Sequence, residues 1–310
     1  MKTHDYCGRT RRIAYFDREE AGNLLQFVLV PGGEVSLGFD GNDFEPSDWQ
    51  IESFAESAKE YDLGPSITQF VDTQTSLRRA ACVTPMLIEV VAREVTPLEP
   101  VAEHDAIFAR LQDEYPQSGS IEYHGGSLGE GTFVTKRDGN GMLQVSRRPA
   151  ATLTMVEEEL RKSRMRLPTC DEWEHACGAG ATTLFRWGDD TPVDFYPTDT
   201  CWEDRALKTA WVLSGGKLVY ETPPAKWDLH QKPNLFGLKI ANNPYQSDLV
   251  ADGPRALGGD GGCNICGGAG FFLGWLPLAT AFRNPYEIRI ELHQNVADEY
   301  HRLRRVISID

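Results

Sequence analysis

Cys263 and Cys266 are the most closely spaced cysteines of the chain, and thiols at this spacing could act together. Both lie in Gly253–Gly274, a segment that contains nine glycines. Glycine-rich backbone is usually kept for close approach or for positive φ angles, so this segment is expected to bend tightly. Two thiolates there can share one soft metal ion or close a small redox disulfide. The alternative is that both cysteines are small residues packed in a loop.

Asp260 is the acidic residue nearest to this pair. A carboxylate beside two thiols could act as a general base or as a hard metal ligand, although aspartate is also common in solvated turns. The histidines form no metal-binding pattern, and Asp171 with His175 has the spacing of a surface pair on a helix. The candidate site is therefore Cys263, Cys266 and Asp260, with the two cysteines as candidate metal ligands.

Charge and composition argue against several classes of function. The chain has 310 residues and a net charge of −15, which repels the phosphate backbone of nucleic acids. The same charge disfavours anionic membranes, and no apolar run approaches the roughly 20 residues that span a bilayer. Because no signal-peptide pattern follows Met1, we expect a cytoplasmic protein without a nucleic-acid or membrane partner. Its seven cysteines are then expected to be mostly reduced.

The organisation along the chain is predicted from hydrophobic periodicity. Residues 1–21 are expected to form a solvated lead-in, and residues 22–310 a single domain. The elements predicted before residue 178 are two strands in Leu24–Leu37, a helix over Asp48–Tyr61, one or two buried strands in Cys82–Val95, a helix in Pro97–Tyr115, and hairpin turns at Gly125-Gly126 and Asp138-Gly139. Beyond Gly178 regular periodicity nearly vanishes, which predicts a loop-rich C-terminal half.

A capping box predicts the start of one helix. Thr169 is followed three residues later by Glu172, and Pro168 prevents an earlier start. Trp173 and Ala176 then fall on one face, so this helix is expected to be held to the core by its tryptophan.

A second capping box, Thr154 with Glu157, predicts another helix over Thr154–Arg164. The apolar run Trp275–Phe282 is expected to pack a core rather than to line a pocket. Arg283, which follows this run, is expected to take part in a structural ion pair.

The segment Arg166–Ala176 resembles the RLPTEAEWEYA signature of the formylglycine-generating enzyme (sulfatase-modifying factor) family. Other segments resemble further motifs of that family: Phe27–Gly33 its opening strand, Thr183–Asp189 its YPWGD turn, Pro233–Leu238 its NPFGL segment, Gly258–Cys263 its GGSW segment, and His301–Val306 its terminal strand. The resemblance implies an α+β, loop-rich, C-type-lectin-like fold with little regular secondary structure.

In the family that this chain resembles, two cysteines bind monovalent copper and engage a substrate thiol, which dioxygen converts to an aldehyde. Cys263 matches the first cysteine; the second is expected at Gly268, and Cys266 stands two residues before it. Asp260 replaces a serine of the family's motif. The resemblance also implies a structural calcium ion, and Asp248 is the only acid left in the corresponding segment.

Three functions are open on this sequence. The first is a copper-dependent, oxygen-using oxidase that acts on the thiol of a peptide or small molecule. The second is a non-catalytic, lectin-like binding or scaffold module, since a fold can outlive its original chemistry. The third is a thiol–disulfide redox protein that uses the same cysteine pair without a metal.

Overall fold

A computed structural model describes residues 1–20, 22–103, 105–114, 131–137, 141–192, 195–200, 211–214, 217–220, 227–253, 255–266, 270–284 and 290–309. Within these ranges the protein combines helices with several small sheets, which confirms the α+β class. No helix in the described ranges is both long and apolar enough to cross a bilayer. The single domain expected over residues 22–310 stays a prediction.

The strands and helices are mostly short. In chain order the strands are β1 (Lys2–Tyr6), β2 (Arg9–Ile13), β3 (Tyr15–Glu20), β4 (Asn23–Val30), β5 (Gly33–Leu37), β6 (Arg79–Val83), β7 (Met86–Glu89), β8 (Arg93–Glu94), β9 (Glu99–Pro100), β10 (Gly131–Arg137), β11 (Leu143–Pro149), β12 (Trp211–Ser214), β13 (Lys217–Tyr220), β14 (Ser247–Leu249), β15 (Ala256–Leu257), β16 (His301–Leu303) and β17 (Val306–Ser308). The helices are α1 (Asp48–Tyr61), α2 (Ile67–Gln74), α3 (Ala106–Glu114), α4 (Leu153–Lys162), α5 (Cys170–Gly178), α6 (Pro197–Thr200), α7 (Cys263–Cys266) and α8 (Phe271–Trp275).

The N-terminal segment is part of the fold. β1 and β2 form an antiparallel hairpin, and β3 pairs with β4. Tyr6 and Ile13 are only 5% and 2% exposed, and both belong to the main hydrophobic core. The expected solvated lead-in over residues 1–21 is therefore wrong for residues 2–20. The composition of this segment is polar, but two well-placed apolar residues are enough to anchor a hairpin to a core.

The two largest sheets among the described residues have four strands each. One has the order β17-β7-β4-β3 and is antiparallel throughout. The other has the order β15-β14-β16-β8, and in it β14 and β16 run parallel, with Ser247 opposite His301. Strands were predicted in Leu24–Leu37 and Cys82–Val95, and the structure confirms them. β5 pairs with β6 rather than with β4.

The helix predicted over Asp48–Tyr61 is confirmed with those bounds as α1. Its buried face contains Gln50, Phe54 and Ser57, whereas Ile51 is exposed. The predicted helix in Pro97–Tyr115 is α3 in its second half only. Its first half contains β9, which pairs with β11.

The hairpin predicted at Asp138-Gly139 is supported by its strands, since Arg137 at the end of β10 pairs with Leu143 at the start of β11. The turn residues 138–140 themselves lie outside the described residues, as does the predicted turn at Gly125-Gly126. β12 and β13 form another hairpin that periodicity did not predict.

The capping box of α5 is confirmed. The Glu172 N–H donates to Thr169 Oγ1 at 3.2 Å, and the Thr169 N–H donates to Glu172 Oε2 at 2.8 Å. Arg166 adds a bidentate ion pair to the same carboxylate, at 2.6 and 2.7 Å. Trp173 and Ala176 are fully buried, as predicted.

The capping box predicted for α4 is wrong. The helix begins one residue earlier than Thr154, and Thr152 Oγ1 accepts the Met155 N–H at 3.3 Å. Thr154 instead donates its hydroxyl to the Leu292 carbonyl at 3.1 Å. Two threonines two residues apart offer two possible caps, and the contact with Leu292, distant in sequence, decides between them.

The apolar run Trp275–Phe282, which follows Cys263 and Cys266 in the chain, is buried, as predicted. Trp275, Leu276, Leu278 and Phe282 all belong to the main core, together with Trp173 of α5. The ion pair expected of Arg283 is also present, since its guanidinium lies 2.5 Å from Glu174. The helix that follows the two cysteines, α8, is therefore part of the main core.

Candidate functional site

A tight glycine bend leads into the cysteine turn. Gly258, Gly259, Gly261 and Gly262 have φ angles of +75°, +66°, +67° and +81°. Glycine adopts such angles at little cost because it has no β-carbon. The chain then enters α7, a single helical turn that begins with Cys263 and ends with Cys266. The tight bend predicted from the glycines is confirmed.

Two of these glycines also allow close packing. A β-carbon on Gly259 would lie 2.5 Å from the Gln246 carbonyl oxygen, and one on Gly262 would lie 1.9 Å from Cε1 of Tyr245. On Gly261 the same atom would be 3.9 Å from Tyr300, the nearest neighbour. The bend is thus pressed against the segment that precedes β14.

Gly261→Ala and Gly262→Ala form a matched pair that tests this packing. Both residues have positive φ, so both substitutions carry the left-handed strain of about 1–2 kcal/mol. Gly262→Ala must also displace the Tyr245 ring, which is expected to cost about 1–3 kcal/mol more. The free energy of unfolding from urea titration measures both. Equal losses in the two variants would show that the bend is not held against Tyr245.

Asp260 is a buried cap of the cysteine turn. Its side chain is 7% exposed; Oδ1 accepts the Gly262 N–H at 2.7 Å, and Oδ2 accepts the Asn264 N–H at 3.1 Å. Its own N–H donates to the Pro244 carbonyl at 2.7 Å. Burial raises the pKa of this carboxyl, and the backbone N–H groups act against that rise. Asp260 is therefore not the solvated turn aspartate of the default interpretation.

Cys263 is exposed to solvent, at the point where the bend becomes helical. Cys266 closes the same turn, and its side chain lies outside the described part of the chain. Residues three apart on a helix lie on the same side of it, so the backbone places the two cysteines at one edge of α7. Gly268, the position expected for the second cysteine, is also outside the described residues.

A metal at this edge would have few protein ligands. Among the described residues, no group of three or more histidines, cysteines, aspartates and glutamates could hold a metal ion. Two thiolates are a donor set that suits monovalent copper, a soft ion. Because both oxygens of Asp260 are engaged by backbone N–H groups, this carboxylate is placed to position the turn.

The segment that would carry a calcium site is organised differently. Asp248 is 7% exposed, and its Oδ2 accepts hydrogen bonds from Trp173 Nε1 at 2.8 Å and from Arg304 Nε at 2.7 Å. Calcium requires six to eight oxygen ligands, usually including several carboxylates. A single carboxylate that is already neutralised by an arginine does not fit this ion.

Arg304 is the residue that sequence analysis missed. It lies in the segment His301–Val306, which was noted only as a strand motif. The signal was an isolated acid, Asp248, in the otherwise uncharged stretch of β14, because a buried carboxylate needs a cation. Sequence alone does not say which of the chain's arginines supplies it.

The predicted surface pair of Asp171 and His175 is wrong. Asp171 pairs with Arg79 at 2.5 Å, and the His175 ring lies buried, with Nε2 2.9 Å from the Pro31 carbonyl oxygen. Glu174, between them, is buried with Arg79 at 3.2 Å and Arg283 at 2.5 Å. Asp171 and His175 thus each contact a residue that is distant in sequence and do not pair with each other.

No protein-family model matches this sequence, and no curated protein matches it either. The resemblance to formylglycine-generating enzymes consequently rests on the motif segments, of which Arg166–Ala176 is the most specific. The described geometry around Cys263 offers an exposed thiol on a braced turn, which can bind a soft metal or exchange with another thiol.

Proposed function

We propose that this chain is a divergent formylglycine-generating-enzyme-like protein with a C-type-lectin-like fold. In this proposal, Cys263 and Cys266 bind monovalent copper, and the protein oxidises the thiol of a peptide or small molecule with dioxygen. The observation that carries the proposal is the exposure of Cys263 on a turn that Asp260 and four left-handed glycines hold in place. A buried thiol could not reach a substrate.

The residues of the chain have separate tasks in this proposal. If bound there, monovalent copper would supply a soft centre for a substrate sulfur and dioxygen. Cys263 and Cys266 hold the ion, and Asp260 fixes the turn by accepting two backbone N–H groups. Gly258, at the start of the bend, packs closely against the buried Trp173 ring.

The overall reaction balances with a thiol reductant. A substrate R–CH₂–SH, one dioxygen, two electrons and two protons give R–CHO, hydrogen sulfide and water. The substrate carbon is oxidised and its C–S bond breaks, while one oxygen atom enters the aldehyde and the other becomes water. Two equivalents of a second thiol supply the electrons and protons as they form a disulfide.

A non-catalytic binding module is the second candidate, and one observation favours it. Asp248, the last acid of the expected calcium segment, is tied to Arg304 and Trp173. The segment beside the cysteine turn therefore lacks a carboxylate available to the calcium ion that the resemblance implies. In this alternative the fold persists, but the two cysteines bind no metal.

Anaerobic titration of the reduced protein with Cu(I) against a competing chelator tests the proposal. We expect one tightly bound Cu(I) per chain and at least about tenfold weaker binding in Cys263→Ser and in Cys266→Ser, because one of two thiolate ligands is lost. Cys82→Ser is the matched control, since Cys82 is also an exposed cysteine but lies on β6. Its Cu(I) affinity should equal that of the unchanged chain.

Oxygen consumption by the copper-loaded protein with a thiol peptide then separates the two candidates. Consumption that is lost in Cys263→Ser supports the oxidase. Tight copper binding without oxygen consumption would contradict the oxidase, and equal copper affinity in all three variants would contradict the metal site itself.

A further inference from the structure

A cleft of about 590 Å³ lies between α4 and the edges of the two four-stranded sheets. Sites for small organic ligands typically measure roughly 300–1,000 Å³, so this cleft has the appropriate size. None of its lining residues belongs to the segment Gly258–Cys266. The cleft is therefore separate from the cysteine turn and independent of the proposed oxidase.

The floor of the cleft is apolar. It is formed by buried side chains of the second hydrophobic cluster, namely Leu25, Ala151, Val156, Leu160, Met165 and Leu303. Apolar surface that lines an open cleft is unfavourable in water, and covering it with an apolar ligand recovers roughly 25 cal/mol per Å². The floor thus favours a ligand with a hydrocarbon body.

One end of the cleft carries a cluster of charged residues. Glu89 lies between two arginines, with Arg93 Nε 2.6 Å from Oε1 and Arg305 Nε 3.8 Å from Oε2. Glu20 lies 3.4 Å from Arg305 and 3.9 Å from Arg18. Of this cluster, Arg93, Arg305 and Glu20 line the cleft and together carry one positive charge, in a chain whose net charge is −15.

The two arginines that line the cleft have guanidinium N–H groups that no described protein group accepts. Arg93 donates Nε to Glu89 and Nη2 to the Leu24 carbonyl, and Arg305 donates Nη1 to Glu20, while its Nε lies 3.8 Å from Glu89, beyond hydrogen-bond distance. Within the described part of the chain, Arg93 Nη1 and Arg305 Nη2 donate to no protein group. Guanidinium N–H groups form their strongest hydrogen bonds with carboxylates.

The charged residues that α4 contributes to the cleft give no excess of positive charge. On α4, Lys162 pairs with Glu159 at 3.0 Å, and Glu158 adds a negative charge to the rim. An anionic group is therefore favoured beside Arg93 and Arg305 and disfavoured beside Glu158. A ligand with one anionic head and an apolar body fits both the charges and the floor.

We propose that this cleft binds an amphipathic monocarboxylate, whose carboxylate contacts Arg93 and Arg305 and whose hydrocarbon body covers the apolar floor. The contact requires no rearrangement of the Glu89 ion pairs, because the unused N–H groups serve the ligand. The cleft binds this ligand whether or not the cysteine turn binds copper.

Isothermal titration calorimetry of the full chain with octanoate, octanol and octylamine tests the proposal. We expect one octanoate per chain, and octanol should bind about 10- to 100-fold more weakly because it cannot form charge-assisted hydrogen bonds with the arginines. Octylamine should bind more weakly still, since its cation faces Arg93 and Arg305. This comparison uses the unchanged chain and does not depend on any variant folding.

Two variants locate the site. Arg93→Gln and Arg305→Gln should each weaken octanoate binding about tenfold or more and leave octanol binding unchanged. Arg147→Gln is the matched control, because Arg147 forms an exposed ion pair with Glu99 outside the cleft. Octanol or octylamine binding as tightly as octanoate, no heat from octanoate at millimolar concentration, or an equal loss in Arg147→Gln would each overturn the proposal.

Discussion

Replacing Arg304 by methionine is expected to lower the free energy of unfolding by about 3–5 kcal/mol, because it leaves a buried carboxylate without its cation. Arg304 is 1% exposed, and its Nε donates to Asp248 Oδ2 at 2.7 Å. Its other nitrogens donate to the carbonyls of Glu89 at 2.7 Å and Lys239 at 2.8 Å. In Arg304→Met, Trp173 is the only donor to the Asp248 carboxylate that remains among the described residues.

Urea denaturation followed by tryptophan fluorescence measures this loss. Arg147→Met is the control, because its exposed pair with Glu99 should contribute no more than about 1 kcal/mol. The double variant Arg304→Met with Asp248→Leu should be more stable than Arg304→Met alone, since the stranded charge is then removed as well. A loss below about 1 kcal/mol in Arg304→Met would show that the ion pair is not buried in solution.

The second large expected effect is a loss of stability as the pH falls. Between pH 7 and pH 5, His230 alone is expected to remove about 2 kcal/mol from the free energy of unfolding. This side chain is fully buried, with its ring 5.0 Å from that of Trp275 and Nε2 3.1 Å from the Pro197 carbonyl oxygen. Burial, together with the charge of Arg186, lowers the pKa of His230 to about 3.

The direction of this pH dependence follows from when the unfolded and the folded chain take up the proton. The unfolded chain takes up a proton on an ordinary imidazole near pH 6.5, whereas the folded chain does so only near pH 3. The stability is therefore fully present above pH 6.5 and is lost progressively as the pH falls towards 3. Burial also lowers the pKa of His175, which adds to the loss. Burial raises the pKa of Glu89 and Asp260, which opposes the loss at lower pH.

His230→Gln isolates the contribution of His230 to the pH dependence of stability, because glutamine can keep a donor near the Pro197 carbonyl but does not titrate. Its free energy of unfolding should fall less steeply from pH 7 to pH 5 than that of the unchanged chain. His293→Gln, at an exposed histidine, should keep the original slope. The same slope in both variants would contradict the assignment to His230.

Local signals predicted local structure well. The capping box at Thr169 and Glu172 depends on atoms three residues apart, and it set the start of α5 correctly. The helix over Asp48–Tyr61 was also predicted with its bounds, although its buried face includes the polar residues Gln50 and Ser57 and leaves Ile51 exposed. Periodicity locates a helix, but the surface that it meets decides which face is covered.

In the candidate site, too, the features encoded in adjacent residues were predicted and those that depend on distant residues were not. The spacing of Cys263 and Cys266 and the surrounding glycines predicted a tight turn, because turn geometry is encoded in adjacent residues. The role of Asp260 as a buried cap was not predicted, since it depends on the turn closing over it. The ion pair of Asp248 and Arg304 joins residues from distant parts of the chain, and a sequence pattern does not fix such a partner.

The edge strand β17 has a consequence for how the protein is made. β3, β4 and β7 leave the ribosome early, whereas the strand that covers the open side of β7 begins only at Val306. During that interval β7 presents unpaired backbone groups beside apolar side chains, an arrangement that invites strand pairing with other chains. Completion of this sheet therefore waits on translation, and a nascent chain is most exposed to aggregation just before its synthesis reaches that strand.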